Sequence, residues 1–179
     1  MPTYVSFLRG INLGSHNRIA MPALTNLYQD QGFTAVQTYL QSGNVVFDAP
    51  EEDADALEIR ISEAIRTTWG LEVPVLLRTR EAVTTMLTVN PYAARAEEAP
   101  TACHITLLSS APLPAQAEAL ALVSSSPDEC TLLGREVYLY CPGGYGKTKF
   151  SNAFIERKLK VTATTRNLNT MRAMITLAE

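Results

Sequence analysis

One order of strands and helices runs through this chain twice, and that repetition limits the folds it can adopt. Apolar runs and alternation predict strands, whereas apolar residues at helical spacing predict helices. The first pass reads βαββαβ over residues 3–78, and the second reads βαββαβ over residues 104–165. A further helical pattern follows each pass, RTREAVTTML after the first and TTRNLNTMRAM after the second. The repetition therefore predicts two units of the same topology.

Turn residues set the bounds of the first pass. Ser42-Gly43 predicts a hairpin, and Gly32 and Gly70 end the two helices. Pro74 cannot donate to a ladder, which favours an edge position for the last strand. Glu51 and Glu52 fit a helix start, where negative charge opposes the dipole. The predicted elements are strands Thr3–Leu8, Ala35–Leu40, Asn44–Phe47 and Val73–Arg78, helices opening at Pro22 and Pro50, and an added helix Arg80–Leu87.

The second pass follows a loop, NPYAARAEEAP, and has the same order of strands and helices. Gly134-Arg135 predicts its hairpin. The predicted elements are strands His104–Leu108, Glu129–Leu133, Glu136–Cys141 and Val161–Thr165, helices Pro114–Val123 and Phe150–Leu159, and an added helix Asn167–Ala178.

This element order favours an α+β protein of two ferredoxin-like βαββαβ units in tandem, each followed by an extra helix. A parallel doubly wound sheet would need a helix between nearly all strands, and the two hairpins argue against it. We expect the first half to cover residues 1–96 and the second residues 97–179. The strand order should be 4-1-3-2 with antiparallel neighbours. The end of strand 1 then lies beside the start of strand 3, and the ends of strands 3 and 4 lie close together.

All four lysines of the chain, Lys147, Lys149, Lys158 and Lys160, fall in one short C-terminal stretch. Residues 135–179 hold eight basic and three acidic side chains, although the whole chain has a net charge of -3. A local basic patch on an acidic protein indicates an anionic small ligand more than a general affinity for polyanions. The alternative is that these lysines cover a solvated helix face.

The segment CPGGYGKTK places glycines and two of these lysines between a predicted strand and a predicted helix. Exposed backbone N–H groups, a helix start and cations are the components of an anion site. With Arg166 and Asn167 from the nearby TTRN segment, we predict a site formed by Lys147, Lys149, Arg166 and Asn167. The segment resembles a P-loop, but Cys141 replaces its first glycine and the preceding strand belongs to a hairpin. A structural turn with lysines facing water is the alternative.

A second polar cluster is predicted in the first unit. The expected strand order places Arg9 and Asn12, after strand 1, next to Asn44, at the start of strand 3. Arg9 ends a strand that is apolar on both faces, so its guanidinium needs a carboxylate, carbonyl groups or a bound anion. Asn12, Gln41 and Asn44 could instead satisfy the backbone of turns.

Other chemistry finds little support in the sequence. His16 and His104 are the only histidines, and no catalytic arrangement can be drawn from them. Whether the chain is an enzyme therefore stays open, and its catalytic residues and cofactors are unknown. Three widely spaced cysteines predict neither a disulfide framework nor a metal site. No signal peptide and no membrane-spanning run is seen. A cytoplasmic protein is expected.

Several segments together resemble a bacterial family known as domain of unknown function sixteen ninety-seven. They are YVSFLRGINLG, MPALTNLYQDQGF, TYLQSGNVVF, VPVLLRT, NPY, EVYLYCPGGYGKTKF and ATTRNLNTM. The resemblance implies an α+β fold with ferredoxin-like halves and implies no activity. Family members typically have Ser-Lys where this chain has Thr148-Lys149, which points to Lys149 more than Lys147. They tend to have Trp where this chain has Leu168, and that departure argues against base stacking there.

The sequence thus predicts a cytoplasmic protein that binds a phosphorylated or otherwise anionic small ligand. One alternative is a protein-interaction or dimerisation module without a small ligand. Another is an RNA- or DNA-binding module using strand aromatics such as Tyr4, Phe7 and Phe47, which the acidic middle of the chain opposes. The oligomeric state is not predicted.

Overall fold

A computed structural model, which describes residues 1–50 and 53–179, confirms an α+β fold of two similar units. Each unit contains a four-stranded antiparallel sheet with the strand order predicted from the repeat. The sheets are β2-β3-β1-β4 and β6-β7-β5-β8. Glu51 and Glu52, which were predicted to lie at a helix start, are outside the described residues.

The first unit is assembled around β1, which pairs with β3 on one side and β4 on the other. Both faces of β1 are buried, as its continuous apolar run predicts. The edge position of β4 confirms the prediction from Pro74. The elements are β1 (Thr3–Leu8), α1 (Met21–Asp30), β2 (Thr34–Tyr39), β3 (Asn44–Asp48), α2 (Ala54–Trp69), β4 (Val75–Thr79) and the added helix α3 (Arg80–Thr88).

The core of the first unit lies between one sheet face and the helices α1 and α2. The α2 side chains that face it are Leu57, Ile61 and Ile65, the stripe expected from helical spacing. Tyr28 of α1 is fully buried, and its hydroxyl shares a 2.7 Å hydrogen bond with the Ser6 hydroxyl. That bond satisfies the two polar groups that the core would otherwise leave without a partner.

The second unit repeats this plan around β5. Leu108, Leu139, Phe150, Ile155 and Ala163 belong to its core on the helix side of the sheet. The elements are α4 (Ala93–Glu98), β5 (Cys103–Leu108), α5 (Pro114–Ala121), β6 (Glu129–Leu133), β7 (Glu136–Tyr140), α6 (Asn152–Leu159), β8 (Ala163–Asn167) and the added helix α7 (Leu168–Leu177).

Several local predictions differ from the structure, among them the start of α2, which lies at Ala54 and not at Pro50. The loop predicted after α3 contains the short helix α4, which at six residues is too brief to show a helical period. Helix α6 begins at Asn152, not Phe150, because the Ser151 hydroxyl caps the N–H of Phe154 at 3.2 Å. Strand β8 runs to Asn167, so Arg166 and Asn167 belong to the sheet ladder and not to a turn.

Residues 1–84 and 173–179 form one compact unit, and residues 85–172 form the other. This division differs from the predicted one at residue 96, and it assigns the end of α7 to the first unit. There, the carbonyl of Leu177 accepts a hydrogen bond from Gln37 and that of Ala178 accepts one from Arg80. In the part of the chain that the structure describes, no helix is long and apolar enough to cross a membrane.

Candidate anion-binding site

The glycine-rich segment leaves the sheet at Cys141, whose N–H donates to the carbonyl of Ala102 at 2.7 Å. It then folds on itself through a 3-10 turn at Tyr145–Lys147. Four of its backbone N–H groups have internal acceptors, namely Gly144 to the Cys141 carbonyl, Lys147 to the Gly144 carbonyl, Thr148 to the Tyr145 carbonyl and Phe150 to the Thr148 hydroxyl. These groups are therefore not available to surround an anion, and the segment is not a P-loop cradle.

Cationic side chains gather instead around the ring of Phe154, in the first turn of α6. The Nζ of Lys149 lies 5.6 Å from the ring centroid, the Cζ of Arg157 5.6 Å and the Nζ of Lys158 6.0 Å. Helical side chains lean towards the N-terminus, so Arg157 and Lys158, one turn later, reach back over Phe154. Lys149 approaches from the loop that precedes the helix. We call these three side chains the Phe154 cation cluster.

No member of the Phe154 cation cluster forms an ion pair within residues 1–50 and 53–179. Lys149 and Arg157 are exposed, and Lys158 is half-buried. Glu156, the acidic residue of α6, directs its Oε2 to the N–H of Ala163 at 3.4 Å. The cluster is thus a concentration of positive charge accessible to solvent. Lys147 is also exposed, in the 3-10 turn, but makes no contact with the ring.

Arg166 lies on the other face of the sheet from this cluster. It pairs with Ile105 in the ladder, between Thr165 and Asn167, and side chains alternate faces along a strand. Its guanidinium is buried and donates to the Thr164 hydroxyl at 2.7 Å and the Thr165 carbonyl at 2.9 Å. The predicted grouping of Arg166 with Lys147 and Lys149 is therefore not found in the second unit.

Asn167 has a capping role. Its Oδ1 accepts the N–H of Thr170 at 2.8 Å and so satisfies the first turn of α7. In the first unit, the hydroxyl of Thr79 accepts the N–H of Ala82 at 3.1 Å at the start of α3. The same position thus caps the added helix in both units.

The polar residues predicted in the first unit contact turns of the backbone, and Asn12 contacts the hairpin turn that precedes Asn44. The amide of Asn12 donates to the carbonyls of Ile19 at 2.9 Å and Gln41 at 2.7 Å, and its Oδ1 accepts the N–H of Ile19 at 2.8 Å. The amide of Asn44 is buried and donates to the Tyr39 carbonyl at 2.7 Å. Both amides therefore hold turns in place. The half-buried Arg9 follows β1, and its backbone N–H donates to the Pro74 carbonyl at 2.9 Å.

A polar group that the sequence did not single out lies beside the glycine-rich segment. His104 is buried in β5, and its ring stacks on that of Tyr145, with 4.9 Å between centroids. Burial lowers the pKa of the His104 imidazole, and the Ala102 carbonyl partly opposes this shift. Nearby, the hydroxyls of Thr106 and Thr165 share a hydrogen bond, and Thr165 donates to Asn152 Oδ1 at 2.6 Å. The alternation of polar residues in HITLL was the available signal.

Neither a metal site nor a cleft of the described residues is a stronger candidate than the cluster. In the described part of the chain, no three His, Cys, Asp or Glu side chains are grouped to hold a metal ion. A cleft of about 240 Å³ lies in the first unit, beside Asn26, Asp30, Gln31 and Trp69. Its lining contains no cationic residue, and it is smaller than the roughly 300–1,000 Å³ usual for small-molecule sites. The Phe154 cation cluster is the better candidate for an anion.

Comparisons with known proteins agree with the fold. The family described as Protein of unknown function (DUF1697) matches residues 1–138. The solved structure of conserved bacterial protein SP0830 from Streptococcus pneumoniae is similar, with a TM-score of 0.71, 18% sequence identity, and 99% of each chain covered. At that identity the similarity concerns the fold alone. No curated protein matches the chain.

Proposed function

The chain belongs to the DUF1697 family, and from the side chains of its second unit we propose that it binds a phosphorylated or otherwise anionic small molecule. The ligand contacts would be Lys149, Arg157 and Lys158, with Lys147 at the margin. The observation that carries the proposal is the convergence of three cations on one ring, with no carboxylate paired to any of them in the described residues. Arg166, Asn167, Asn12 and Asn44 have structural roles in this proposal, and Arg9 is not among the ligand contacts.

The energetics of the cluster favour an added anion. An exposed cation–π contact contributes about 0.5–1 kcal/mol. Two like charges in water repel by about 1 kcal/mol at 4 Å, and by less at larger separations. Attraction to the ring therefore offsets the mutual repulsion of the three cations without greatly exceeding it. A bound anion turns each of these charges into an attractive partner.

The fold does not require this cluster, because the first unit does without it. If the capping residues Asp53 and Ser151 are superposed along the sequence, Phe154 corresponds to Ala56. The segment between the third strand and the second helix covers residues 49–53 in the first unit and residues 141–151 in the second. The longer loop, the ring and Lys149 are thus additions to a plan that forms without them. Additions of this kind on loops and helix starts are where binding sites are commonly found.

The proposal is tested by titrating the purified protein with inorganic phosphate and with glucose 6-phosphate in a low-salt buffer. A ligand at about 100 times its Kd adds about 2.7 kcal/mol of stability, which raises Tm by about 5–10 °C at this chain length. Lys149→Gln and Arg157→Gln should each reduce the shift, and the double variant should abolish it. Lys160→Gln is the matched control, because Lys160 is an exposed lysine at the end of the same helix that does not contact the ring.

The controls separate the proposal from its rivals. If Lys160→Gln reduces the Tm shift as much as Lys149→Gln does, the shift reflects general charge attraction and not a site. If the shift persists in the double variant, the anion binds elsewhere. A nucleic-acid-binding module would instead bind short RNA with an affinity that falls steeply with salt. If no anion shifts Tm, the proposal is wrong and the interaction-module alternative takes its place. A cytoplasmic location remains part of the proposal, supported by Cys103, Cys130 and Cys141 being free thiols.

A further inference from the structure

We infer that the group bound at the Phe154 cation cluster is a diphosphate, recognised by its charge and without stacking of any attached ring. This inference rests on the proposed function and specifies its ligand class. The diphosphate could be inorganic or the end of a nucleotide or another organic molecule. In each case the protein would bind the same charged diphosphate group.

Charge matching is the first argument. Lys149, Arg157 and Lys158 supply three positive charges around one ring, and no described carboxylate neutralises them. A single phosphate group carries about -1.5 to -2 at neutral pH, which leaves at least one of these cations without a counter-charge. A diphosphate carries more negative charge on two adjoining groups. It can therefore engage the lysine before the helix and the two cations one turn beyond the ring together.

The surrounding backbone gives the second argument. The N–H groups of Gly144, Lys147, Thr148 and Phe150 already have acceptors within the chain, and that of Phe154 has the Ser151 hydroxyl. These donors do not form a fixed cradle matched to one tetrahedral phosphate. The contacts proposed for the ligand are long, flexible cationic side chains, for which affinity rises with the charge of the ligand.

The rings near the cluster give the third argument. Phe154 is only 8% exposed, and the cations cover it. Phe150 is buried, and its ring meets Phe154 edge-on at 6.0 Å. The half-buried Tyr145 ring is stacked on His104. Since these rings are buried or engaged, an adenine or other base attached to the diphosphate gains no stacking partner here.

The test compares four anions by calorimetry at matched ionic strength, namely orthophosphate, pyrophosphate, AMP and ADP. In water each further charge contact at about 4 Å is worth roughly fivefold in affinity. Pyrophosphate should therefore bind about fivefold more tightly than orthophosphate, and ADP about fivefold more tightly than AMP. ADP and pyrophosphate should agree within about threefold. Arg157→Gln should narrow the gap between pyrophosphate and orthophosphate, and Lys160→Gln should leave it unchanged.

The outcomes separate this inference from the proposed function. If orthophosphate and pyrophosphate bind equally and both need Lys149, the anion site stands and the diphosphate inference is wrong. If ADP binds far more tightly than pyrophosphate, the base or ribose is recognised and the claim of charge-only recognition is wrong. If none of the four binds, or if the Lys149→Gln/Arg157→Gln double variant binds them all as well as the native protein does, both fail together.

Discussion

Replacing Lys160 by Gly should stabilise the protein. Lys160 ends α6 with φ 59 and ψ 35, the left-handed conformation that an L side chain adopts at a cost. Its N–H donates to the Glu156 carbonyl at 2.9 Å, so the chain gains a helix-ending hydrogen bond from this conformation. Gly70 has the same position at the end of α2, with φ 69 and ψ 22. The first unit thus uses the residue that favours this geometry, and the second does not.

Two opposing terms set the size of the effect. The left-handed conformation costs an L-residue about 1–2 kcal/mol. Glycine removes that cost but has more freedom in the unfolded chain, which offsets about 0.4–1 kcal/mol. Lys160→Gly should therefore raise the free energy of unfolding by about 0.5–1 kcal/mol. For a urea m-value of about 2 kcal/mol/M, the midpoint should move up by about 0.3–0.5 M with m unchanged.

The measurement is urea denaturation followed by far-UV circular dichroism, which reports both units. Fluorescence of Trp69, the single tryptophan of the chain, reports α2 in the first unit and shows whether the gain is local. Lys160→Gln controls for the lost charge, because it keeps the Cβ and hence the backbone cost. Gly70→Ala should lose about 0.5–1 kcal/mol by the same reasoning. If Lys160→Gln stabilises as much as Lys160→Gly, repulsion within the basic segment is the cause and the backbone argument is refuted.

Two further predictions concern a turn and a buried histidine. Gly43→Ala should lower the free energy of unfolding in urea by about 2–4 kcal/mol. The reason is that φ is +82 and the new Cβ would lie 2.8 Å from Leu8 Cβ and 2.7 Å from Ile11 Cδ1. A loss equal to that of Gly70→Ala, where the new Cβ has no atom within 4 Å, would contradict this prediction. The lowered pKa of His104 means that the unfolded chain binds its proton more readily, so stability should fall as pH drops below about 6.5 and level off below the folded-state pKa. The slope should be smaller in His104→Gln, and identical pH profiles of stability would show that His104 does not titrate differently on folding.

The sheet topology could be predicted from sequence because hydrophobic pattern and turn chemistry agree throughout both units. Ser42-Gly43 and Gly134-Arg135 identify the hairpins, and the apolar runs of β1 and β5 identify the central strands. The end of β8 was missed for a physical reason. Thr164-Thr165-Arg166-Asn167 has no apolar alternation, and its place in the ladder comes from pairing with β5, which is a tertiary contact.

The candidate site was predicted only in part. The concentration of lysines was visible, and so were the glycines before α6. The sequence could not show that the segment satisfies four of its own N–H groups, because that depends on how residues 141–150 fold. Nor could it show that Phe154 holds Lys149 beside Arg157 and Lys158, since these two residues lie eight and nine positions after Lys149. Arg166 was misplaced because the strand was predicted to end at Thr165, two residues before its end at Asn167.

The internal repeat separates residues that the fold requires from those that it does not. Arg78 and Arg166 occupy the same ladder position, opposite Val5 and Ile105. Both are buried, and both donate to backbone carbonyls of their own strand.

In each unit, a glutamate of the second helix also accepts a backbone hydrogen bond from the last strand. Glu58 accepts the N–H of Leu77 at 2.7 Å, and Glu156 accepts that of Ala163 at 3.4 Å. Such features appear twice because each unit needs them to close its sheet against its helices. Within residues 1–50 and 53–179, the loop at residues 141–151 and the cations around Phe154 have no counterpart in the first unit. Arg166, the most buried cation of the second unit, is therefore part of the scaffold, whereas the Phe154 cation cluster is the site that we propose for a function specific to this half.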